Sequence, residues 1–464
     1  MEPPARAANV AENGLRDRLA ELIAVLGEGL IERDTALRLC LLAALASEHV
    51  LLVGPPGTAK SELARRLHLA FRDARYFERL LTRFTVPEEL FGPLSIAALE
   101  QDRYERQTDG FLPTASIAFI DEVFKANSAI LNALLTLLNE REFDNGAGRV
   151  AAPLISVVGA SNEVPEDEVV AAFYDRFLVR IPLGAVSPGG FAALARLPFA
   201  GDLRVPERLR LGDAELETIG RAVDAVLLPE PMLELLGALR EHLAAERIYV
   251  SDRRWRKIVK LLKVAALTDG RDRVGIWDLW LLQFCAGQDR AEQEQVARWY
   301  ETRLGVHRAL HPQRMEQAVA ALEAQLEIEA NASDLSYDDA GRLSFGEAVG
   351  DPKGGGQAPR MSFMQTRRYG ATHVAARVGQ VQNLVDAMDA YLADLDDLLA
   401  EIATTLPRHL WLDPAFAPRA AATLRETRAG VETLRERAVA AREGFAALPR
   451  LVPDPGRVPE PVAT

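Results

Sequence analysis

Cysteine is scarce in this chain of 464 residues, which contains only Cys40 and Cys285. Each lies in an apolar run with helical spacing, so we expect buried free thiols rather than a disulfide or a metal site. Positive charge is also in deficit, because 54 Lys and Arg oppose 67 Asp and Glu, for a net charge of −13. That balance argues against nucleic acid as a general partner, although a local basic channel stays open. A protein or a nucleotide fits the composition better.

Long hydrophobic runs are missing as well. No apolar run approaches the ~20 residues that a transmembrane helix needs. Residues 1–14 contain Pro and acidic residues instead of the apolar core of a signal peptide. We therefore expect a cytoplasmic protein with no membrane span. The length allows two to four domains, and 48% hydrophobic with 26% charged residues is the composition of a globular protein.

Strands and helices alternate in the first two hundred residues or so. Residues 49–53, 117–120 and 154–159 are short, apolar and β-favouring, with helical patterns between them. Such alternation predicts an α/β fold, in which a parallel sheet lies between two helical layers as an αβα sandwich.

The remainder of the chain has mostly helical spacing. Exceptions are an irregular segment with a candidate hairpin at 338–341, a Gly-rich linker at 350–359 and a Pro-rich end. The predicted division is an N-terminal helix at 1–33, an αβα core at 34–205, an all-α lid domain at 206–300, an elongated helical arm at 301–330 and 373–447, a small insert at 331–372 and a disordered tail at 448–464.

A glycine-rich loop follows the first predicted strand and precedes a predicted helix. Its residues are Gly54, Pro55, Pro56, Gly57, Thr58, Ala59, Lys60 and Ser61. Backbone N–H groups in such a loop can cradle a triphosphate, Lys60 can neutralise its β- and γ-phosphates, and Ser61 can supply a hydroxyl to Mg²⁺. Ala59 stands where a second glycine is usual. Alanine still permits a close backbone approach if its φ is negative, so we expect the loop to work. The loop predicts an ATP/ADP site, with Glu62 beside it, rather than a chance Gly/Pro turn.

Two carboxylates end the second predicted strand. Asp121 and Glu122 follow the apolar run 117–120 directly, at the sheet edge where α/β proteins bind ligands. Asp121 can hold Mg²⁺, directly or through water, and Glu122 can polarise the attacking water. Two acids that merely end a strand in solvent are the alternative, which the neighbouring loop disfavours.

Three further polar residues are candidates for contacts with the nucleotide. Asn162 follows the third strand and could orient water near the γ-phosphate, with a turn or capping role as an even alternative. Arg176 could reach the nucleotide of a neighbouring subunit and stabilise charge in the transition state, or could be an ordinary surface residue. Arg253, near the start of a later helix, could close onto the γ-phosphate, whereas Arg254 beside it is the less favoured contact.

Together these motifs resemble the AAA+ superfamily and, within it, the MoxR branch, most closely its RavA-like members. The matching stretches are 54–61, 82–95, 103–106, 119–125, 131–143, 160–163, 174–177 and 251–255. The likeness covers roughly the first three hundred residues and is dense enough to be specific.

The resemblance implies a hexameric ring with ATPase sites between subunits that act on protein partners. The roles it implies are Walker A for Lys60 and Ser61, Walker B for Asp121 and Glu122, sensor 1 for Asn162, a finger donated in trans for Arg176 and sensor 2 for Arg253. It also implies pore-facing inserts at 84–111, which should contain a helix, and at 142–153, which should form a hairpin. A von Willebrand factor A domain protein of the ViaA type is the implied partner. RavA-like proteins carry a β-rich insert in their helical arm, for which residues 331–372 are short.

Three functions stay open on this basis. The first is an ATPase that couples Mg–ATP hydrolysis in a ring to remodelling or maturation of a protein complex. The second is a nucleotide-gated assembly scaffold with little turnover, against which Glu122 and Arg176 argue, because binding alone needs neither. The third is a DNA-handling AAA+ protein, which the acidic composition and the lack of an appended basic domain disfavour.

Overall fold

The computed structural model describes residues 5–146, 148–163, 168–198, 203–304, 312–335 and 364–462. The chain forms two compact units. Unit 1 comprises residues 1–302 and 405–416, and unit 2 comprises residues 303–404 and 417–464.

Nine strands lie in the described ranges. They are β1 His49–Val53, β2 Tyr76–Leu80, β3 Ile117–Asp121, β4 Glu142–Asp144, β5 Arg149–Ala151, β6 Ser156–Ser161, β7 Phe177–Pro182, β8 Ser333–Leu335 and β9 Met364–Thr366. Five of them form a parallel sheet in unit 1, in the order β2-β3-β6-β1-β7. Val50, Leu51 and Leu52 in β1 are all fully buried. Because successive residues of a strand point to opposite faces, the sheet is covered on both sides, which confirms the predicted αβα core.

Helices make up most of the remaining structure. They are α1 Ala5–Gly27, α2 Asp34–Leu45, α3 Lys60–Leu69, α4 Pro87–Phe91, α5 Ile96–Leu99, α6 Ser128–Glu140, α7 Glu168–Tyr174, α8 Pro188–Ala195, α9 Asp213–Ala222, α10 Glu230–Ala245, α11 Asp252–Thr268, α12 Leu282–Ala286, α13 Arg290–Arg303, α14 Pro312–Ala330, α15 Ala371–Thr404 and α16 Phe416–Ala446. No helix in the described part of the chain combines the length and the apolarity needed to cross a bilayer.

Sequence reasoning missed β2, the strand at one edge of the sheet. Of its five residues only Phe77 is buried, while Glu78 is exposed. An edge strand with one covered position has no apolar run, so the hydrophobic pattern cannot reveal it. The two insert predictions, in contrast, are confirmed as secondary structure. Segment 84–111 contains α4 and α5, and β4 and β5 form an antiparallel hairpin.

Residues 405–416 belong to unit 1, although the sequence places them in the helical arm. Trp411 is fully buried, and its indole Nε1 donates to Ala265 O at 3.2 Å and to Thr268 Oγ1 at 3.0 Å. A buried Trp needs a partner for its N–H, and the C-terminal turn of α11 supplies two. Residues 405–416 therefore pack against the lid helix α11.

Unit 2 consists of long helices and a two-stranded antiparallel pair, β8 and β9. The hairpin predicted at 338–341 and the linker at 350–359 lie outside the described residues. The prediction of a disordered tail at 448–464 is wrong as far as residue 462. Arg377 Nη1 donates to Glu460 O at 2.7 Å, and Thr372 N donates to Asp454 Oδ2 at 2.7 Å. The Pro-rich end forms no helix or strand there, but its carbonyl and carboxylate groups accept hydrogen bonds from α15.

Candidate nucleotide site

The loop 54–59 joins the carboxyl end of β1 to the start of α3. Gly54 N–H donates to Ser161 O at 3.0 Å, and a Cβ on Gly54 would overlap the carbonyl group of Leu183. A side chain cannot be accommodated at this close approach, so the glycine is required. Thr58 Oγ1 donates to Pro55 O at 2.9 Å, which closes the loop on itself. The loop is followed directly by the N-terminus of a ten-residue helix, where free backbone N–H groups can bind a phosphate anion.

Ala59 adopts the left-handed conformation, with φ +67° and ψ +27°. The condition of a negative φ is therefore not met. The chain must turn here to bring Lys60 into the first turn of α3, and a left-handed residue makes this turn. Because alanine has a Cβ, this conformation costs roughly 1–2 kcal/mol relative to a right-handed one. The loop keeps the shape that a glycine would allow, with some strain.

Replacing Ala59 with Gly should raise the free energy of unfolding by about 0.5–1 kcal/mol, because the relieved strain exceeds the extra entropy of the unfolded chain. The midpoint of urea unfolding measures this change. Ala126→Gly is the matched control, since Ala126 has an ordinary φ of −68°. It should lower stability by about 0.5–1 kcal/mol. A loss in both variants would contradict the strained conformation of Ala59.

Arg33 forms hydrogen bonds that hold the phosphate loop in place, a role that was not predicted from the sequence. This residue is 6% exposed. Its Nε donates to Thr58 O at 3.0 Å and its Nη2 donates to Gly184 O at 2.7 Å. It therefore ties the phosphate loop to the segment after β7. A single arginine before a helix has no periodic or motif signal, so only the tertiary structure reveals this role.

Lys60, Asn162 and Glu122 form one hydrogen-bonded chain at the carboxyl edge of the sheet. Lys60 Nζ donates to Asn162 Oδ1 at 3.1 Å, and Asn162 Nδ2 donates to Glu122 Oε1 at 2.6 Å. Burial lowers the pKa of Lys60, while the nearby charges of Asp121 and Glu122 act in the opposite direction. The structure thus brings together four of the predicted site residues, and Asn162 bridges the cation and the carboxylate.

Glu122 has an unusual backbone, with φ +50° and ψ +43°. Non-glycine residues in this region are strained, and such residues cluster at functional sites. Its side chain is 15% exposed, and Lys125 Nζ lies 3.3 Å from its Oε2. The carboxylate is thereby held between Asn162 and Lys125 at the end of β3.

Ser61 and Asp121 fit a magnesium site of the kind completed by phosphate oxygens and water. Ser61 follows Lys60 in the first turn of α3, and Asp121 is the last residue of β3. Asp121 Oδ1 accepts from Glu122 N at 3.0 Å, which fixes the carboxylate and leaves its other oxygen for a metal. Among the described residues no cluster of three or more His, Cys, Asp or Glu could hold a metal alone. Mg²⁺ commonly binds to one or two protein oxygens together with a nucleotide.

Arg176 lies where the strands of the sheet begin, which we call the lower edge, opposite the carboxyl ends that carry the phosphate loop. It precedes Phe177, the first residue of β7, which pairs with His49, the first residue of β1. The phosphate loop follows the far end of β1, so the length of the strand, about 16 Å, separates the two. Burial, and then the charge of Arg253, lowers the pKa of Arg176. Its Nε is buried and has no hydrogen-bond partner among the described residues.

Arg253 also lies at this lower edge, away from the phosphate loop of its own chain, so its predicted contact with a γ-phosphate stays a prediction. Arg253 Nη2 donates to Asn139 Oδ1 at 2.7 Å. The adjacent Leu138 O lies 3.0 Å from Nε2 of His49, at the start of β1. The lid helix therefore begins beside the amino ends of the strands. No local sequence signal reports on which side of the core a lid packs.

Arg254 fixes the lid helix to the core. The residue is 3% exposed, and its Nε donates to Cys285 O while Nη2 donates to Leu178 O at 2.7 Å. Both Nη atoms lie 3.2 Å from Phe177 O. One guanidinium thus satisfies carbonyl groups from β7 and α12 together.

Arg254→Leu should lower the free energy of unfolding by about 3 kcal/mol or more, because several buried carbonyl groups lose their donor. Arg253→Leu is the adjacent control. Arg253 is exposed, and its loss should change stability by no more than about 0.5 kcal/mol. Chemical denaturation of both variants measures the difference, and equal losses would contradict the structural role of Arg254.

Comparison with known proteins agrees with this geometry. Residues 17–205 match the family model described as the MoxR domain in the MoxR-vWA-beta-propeller ternary systems. Residues 231–300 match the model of an AAA lid domain. The chain carries a MoxR-family AAA+ ATPase domain.

Relatives of this AAA+ domain are found in archaea and bacteria. An uncharacterized protein of Methanocaldococcus jannaschii is 44% identical over 255 residues, which is 54% of this chain and 66% of that protein. The protein named chaperone MoxR1, from Mycobacterium tuberculosis, is 29% identical over 163 residues, or 34% of this chain and 42% of its own length. The alignments therefore cover about two thirds of the first relative and less than half of the second.

A solved structure shares the fold. It is a provisionally assigned ATPase from Cytophaga hutchinsonii, which aligns with a TM-score of 0.52 and 19% sequence identity. The match covers 65% of this chain and 97% of the other. This likeness supports the arrangement of core and lid described above.

Proposed function

We propose that this MoxR-family protein hydrolyses ATP at a site completed by a second copy of the chain, in a ring, and uses the energy to remodel or mature a protein complex. The observation that carries the proposal is the Lys60–Asn162–Glu122 chain at one edge of the sheet, with Arg176 at the other. A site for phosphates at one edge and, at the other, a guanidinium whose Nε has no partner among the described residues suit a head-to-tail assembly, because each subunit can then complete its neighbour.

The residues of the loop have defined parts in this reaction. Lys60 would turn from Asn162 toward the β- and γ-phosphates, and its partly buried ammonium would gain an anionic partner. Ser61 and Asp121 would hold Mg²⁺, which when bound neutralises phosphate charge. Glu122 would accept a hydrogen bond from the attacking water, and Asn162 would keep both the carboxylate and the water in line.

Arg176 supports completion of the site in trans. Strand length keeps it away from the phosphate loop of its own subunit, and its partly buried guanidinium lies near the like charge of Arg253. A phosphate of the next subunit would relieve that repulsion and would be stabilised as negative charge develops. Arg253 would then also act on the neighbouring subunit rather than on its own.

A partner with a von Willebrand factor A domain is proposed from the description of the matched MoxR model. The narrower RavA-like assignment is supported by unit 2, in which long helices carry a short antiparallel strand pair. The number of subunits, six in the proposed ring, follows from the resemblance to this family. A nucleotide-gated scaffold is disfavoured because Glu122 is held in a strained, hydrogen-bonded position that nucleotide binding does not need.

ATP turnover per subunit across a wide protein dilution series tests this function, with Lys60→Ala as the blank. The expected result is a rate per subunit that rises with protein concentration and vanishes in the blank. A rate that stays flat while the most dilute sample is monomeric by sizing would contradict a shared site. Absence of turnover at every concentration would favour the scaffold.

A further inference from the structure

A basic groove runs along the lid helix α11, in a chain whose net charge is −13. The groove has a volume of about 580 Å³ and lies between α11 and the end of α9 with the turn that follows it. The charged side chains that line it are Arg253, Arg256, Lys257, Lys260, Lys263 and Asp224. Five cations therefore face one acid, against the overall balance of the molecule.

The spacing of these cations places them in a row. Arg256, Lys260 and Lys263 are separated by four and three residues, so they project from the same side of the helix. From Arg253 to Lys263 the row spans about 15 Å. A ligand that meets all of these charges must therefore be extended rather than compact.

Two of these side chains already have partners within the fold, and three have none among the described residues. Lys257 Nζ lies 2.6 Å from Glu48 Oε2, and Arg253 is bonded to Asn139. Arg256, Lys260 and Lys263 make no hydrogen bond or ion pair within the described residues. Burial lowers the pKa of Lys260, the charges of Arg141 and Lys257 add to that effect, and those of Glu48 and Asp224 oppose it. Like charges are thus concentrated where an external anion would stabilise them.

We infer that this groove, with Arg256, Lys260 and Lys263 at its centre, binds an extended acidic segment of a protein partner. The inference extends the proposed function, which does not name where a partner docks. It concerns a site separate from the phosphate loop, and its test needs no ATP turnover.

The other lining groups favour a peptide over a nucleic acid. Single strands of nucleic acid bind through aromatic platforms as well as cations, and no aromatic side chain lines the groove. Asp224 would repel either anion, but it can accept a hydrogen bond from the backbone N–H of a peptide, a donor that a phosphate backbone lacks. Val223 and Val259 offer apolar contacts for the side chains between acidic residues. Because alternate residues of an extended peptide point the same way, acids at every second position could face the row of cations.

Fluorescence anisotropy of a labelled peptide of alternating Glu and Ala, about eight residues long, tests the inference without nucleotide at near-physiological salt. The wild-type chain should bind this peptide, and the triple variant Arg256→Gln, Lys260→Gln, Lys263→Gln should bind it at least about tenfold more weakly. The matched control is Arg240→Gln, Arg247→Gln, Arg290→Gln, which removes three exposed arginines outside the groove. It should bind the peptide as the wild type does.

Three outcomes would overturn the inference. Equal affinity of the wild type and the groove variant, with both folded by thermal melting, would show that the groove does not bind the peptide. Tighter binding of an oligothymidine with the same number of charges would assign the groove to nucleic acid. A smaller assembly in the groove variant without any peptide would assign the groove to contact between copies of the chain.

Discussion

Glu122→Gln is expected to bind ATP with nearly unchanged affinity and to hydrolyse it at least about a hundredfold more slowly. Glutamine keeps the size of the side chain and can still bond to Asn162, but it cannot accept a proton from water. The loss should therefore appear in kcat and not in the Kd for ATP. A fluorescent ATP analogue measures binding, and phosphate release measures turnover.

Glu140→Gln serves as the control for this variant. Glu140 is an exposed acid at the end of α6 whose carboxylate pairs with Arg149 at 2.6 Å. Its loss removes the same charge from the same unit and should leave turnover unchanged. If Glu122→Gln retains wild-type turnover, Glu122 is not the group that activates water. If it loses affinity for ATP in proportion, its role is to hold the loop.

Arg176→Ala is expected to lower turnover by about a thousandfold while ATP still binds, because an arginine that stabilises the transition state typically contributes that much or more. The guanidinium lies too far from its own phosphate loop to contact a nucleotide there. The same kinetic and binding assays apply. Arg208→Ala is a suitable control, since Arg208 is an exposed arginine of unit 1 that pairs with Glu21.

A structural role for Arg176 would give a different pattern. The variant would then lose stability, and ATP affinity would fall together with turnover. The unpartnered Nε of this residue argues against such a role, because its removal leaves no acceptor unsatisfied at that atom.

The sequence could predict the phosphate loop and the strand-end acids because these features are local. Gly54, Lys60 and Asp121 lie within a few residues of the strand or helix that positions them, and hydrophobic runs mark those elements. The parallel sheet then brings the ends of β1, β3 and β6 to one edge. Asn162 is therefore beside Lys60 and Glu122 as a consequence of topology.

The position of the lid could not be predicted in this way. Arg253 and Arg254 are neighbours in a helix, yet one is exposed at the lower edge and the other is buried against β7. The edge of the core that the lid meets depends on contacts such as those of Arg254 with Phe177 and Leu178. Arg254 lies more than seventy residues from both of them in the sequence. No spacing within the motif reports such contacts.

The backbone conformation of two site residues could not be predicted from the sequence either. Alanine disfavours a positive φ, but the loop imposes one at Ala59. Tertiary constraints here outweigh a local preference of about 1–2 kcal/mol. The same holds for Glu122 at the end of β3.

The most direct test of a site shared between subunits is the ATPase rate of a mixture of Lys60→Ala and Arg176→Ala chains, each of which should be inactive alone. The first lacks the phosphate-binding lysine but retains Arg176, and the second lacks Arg176 but retains Lys60. In mixed assemblies about a quarter of the sites would join an intact loop to an intact arginine of the next subunit. Mixing should therefore restore turnover to about that fraction of the wild-type rate. A mixture that forms mixed assemblies and stays inactive would contradict completion of the site in trans.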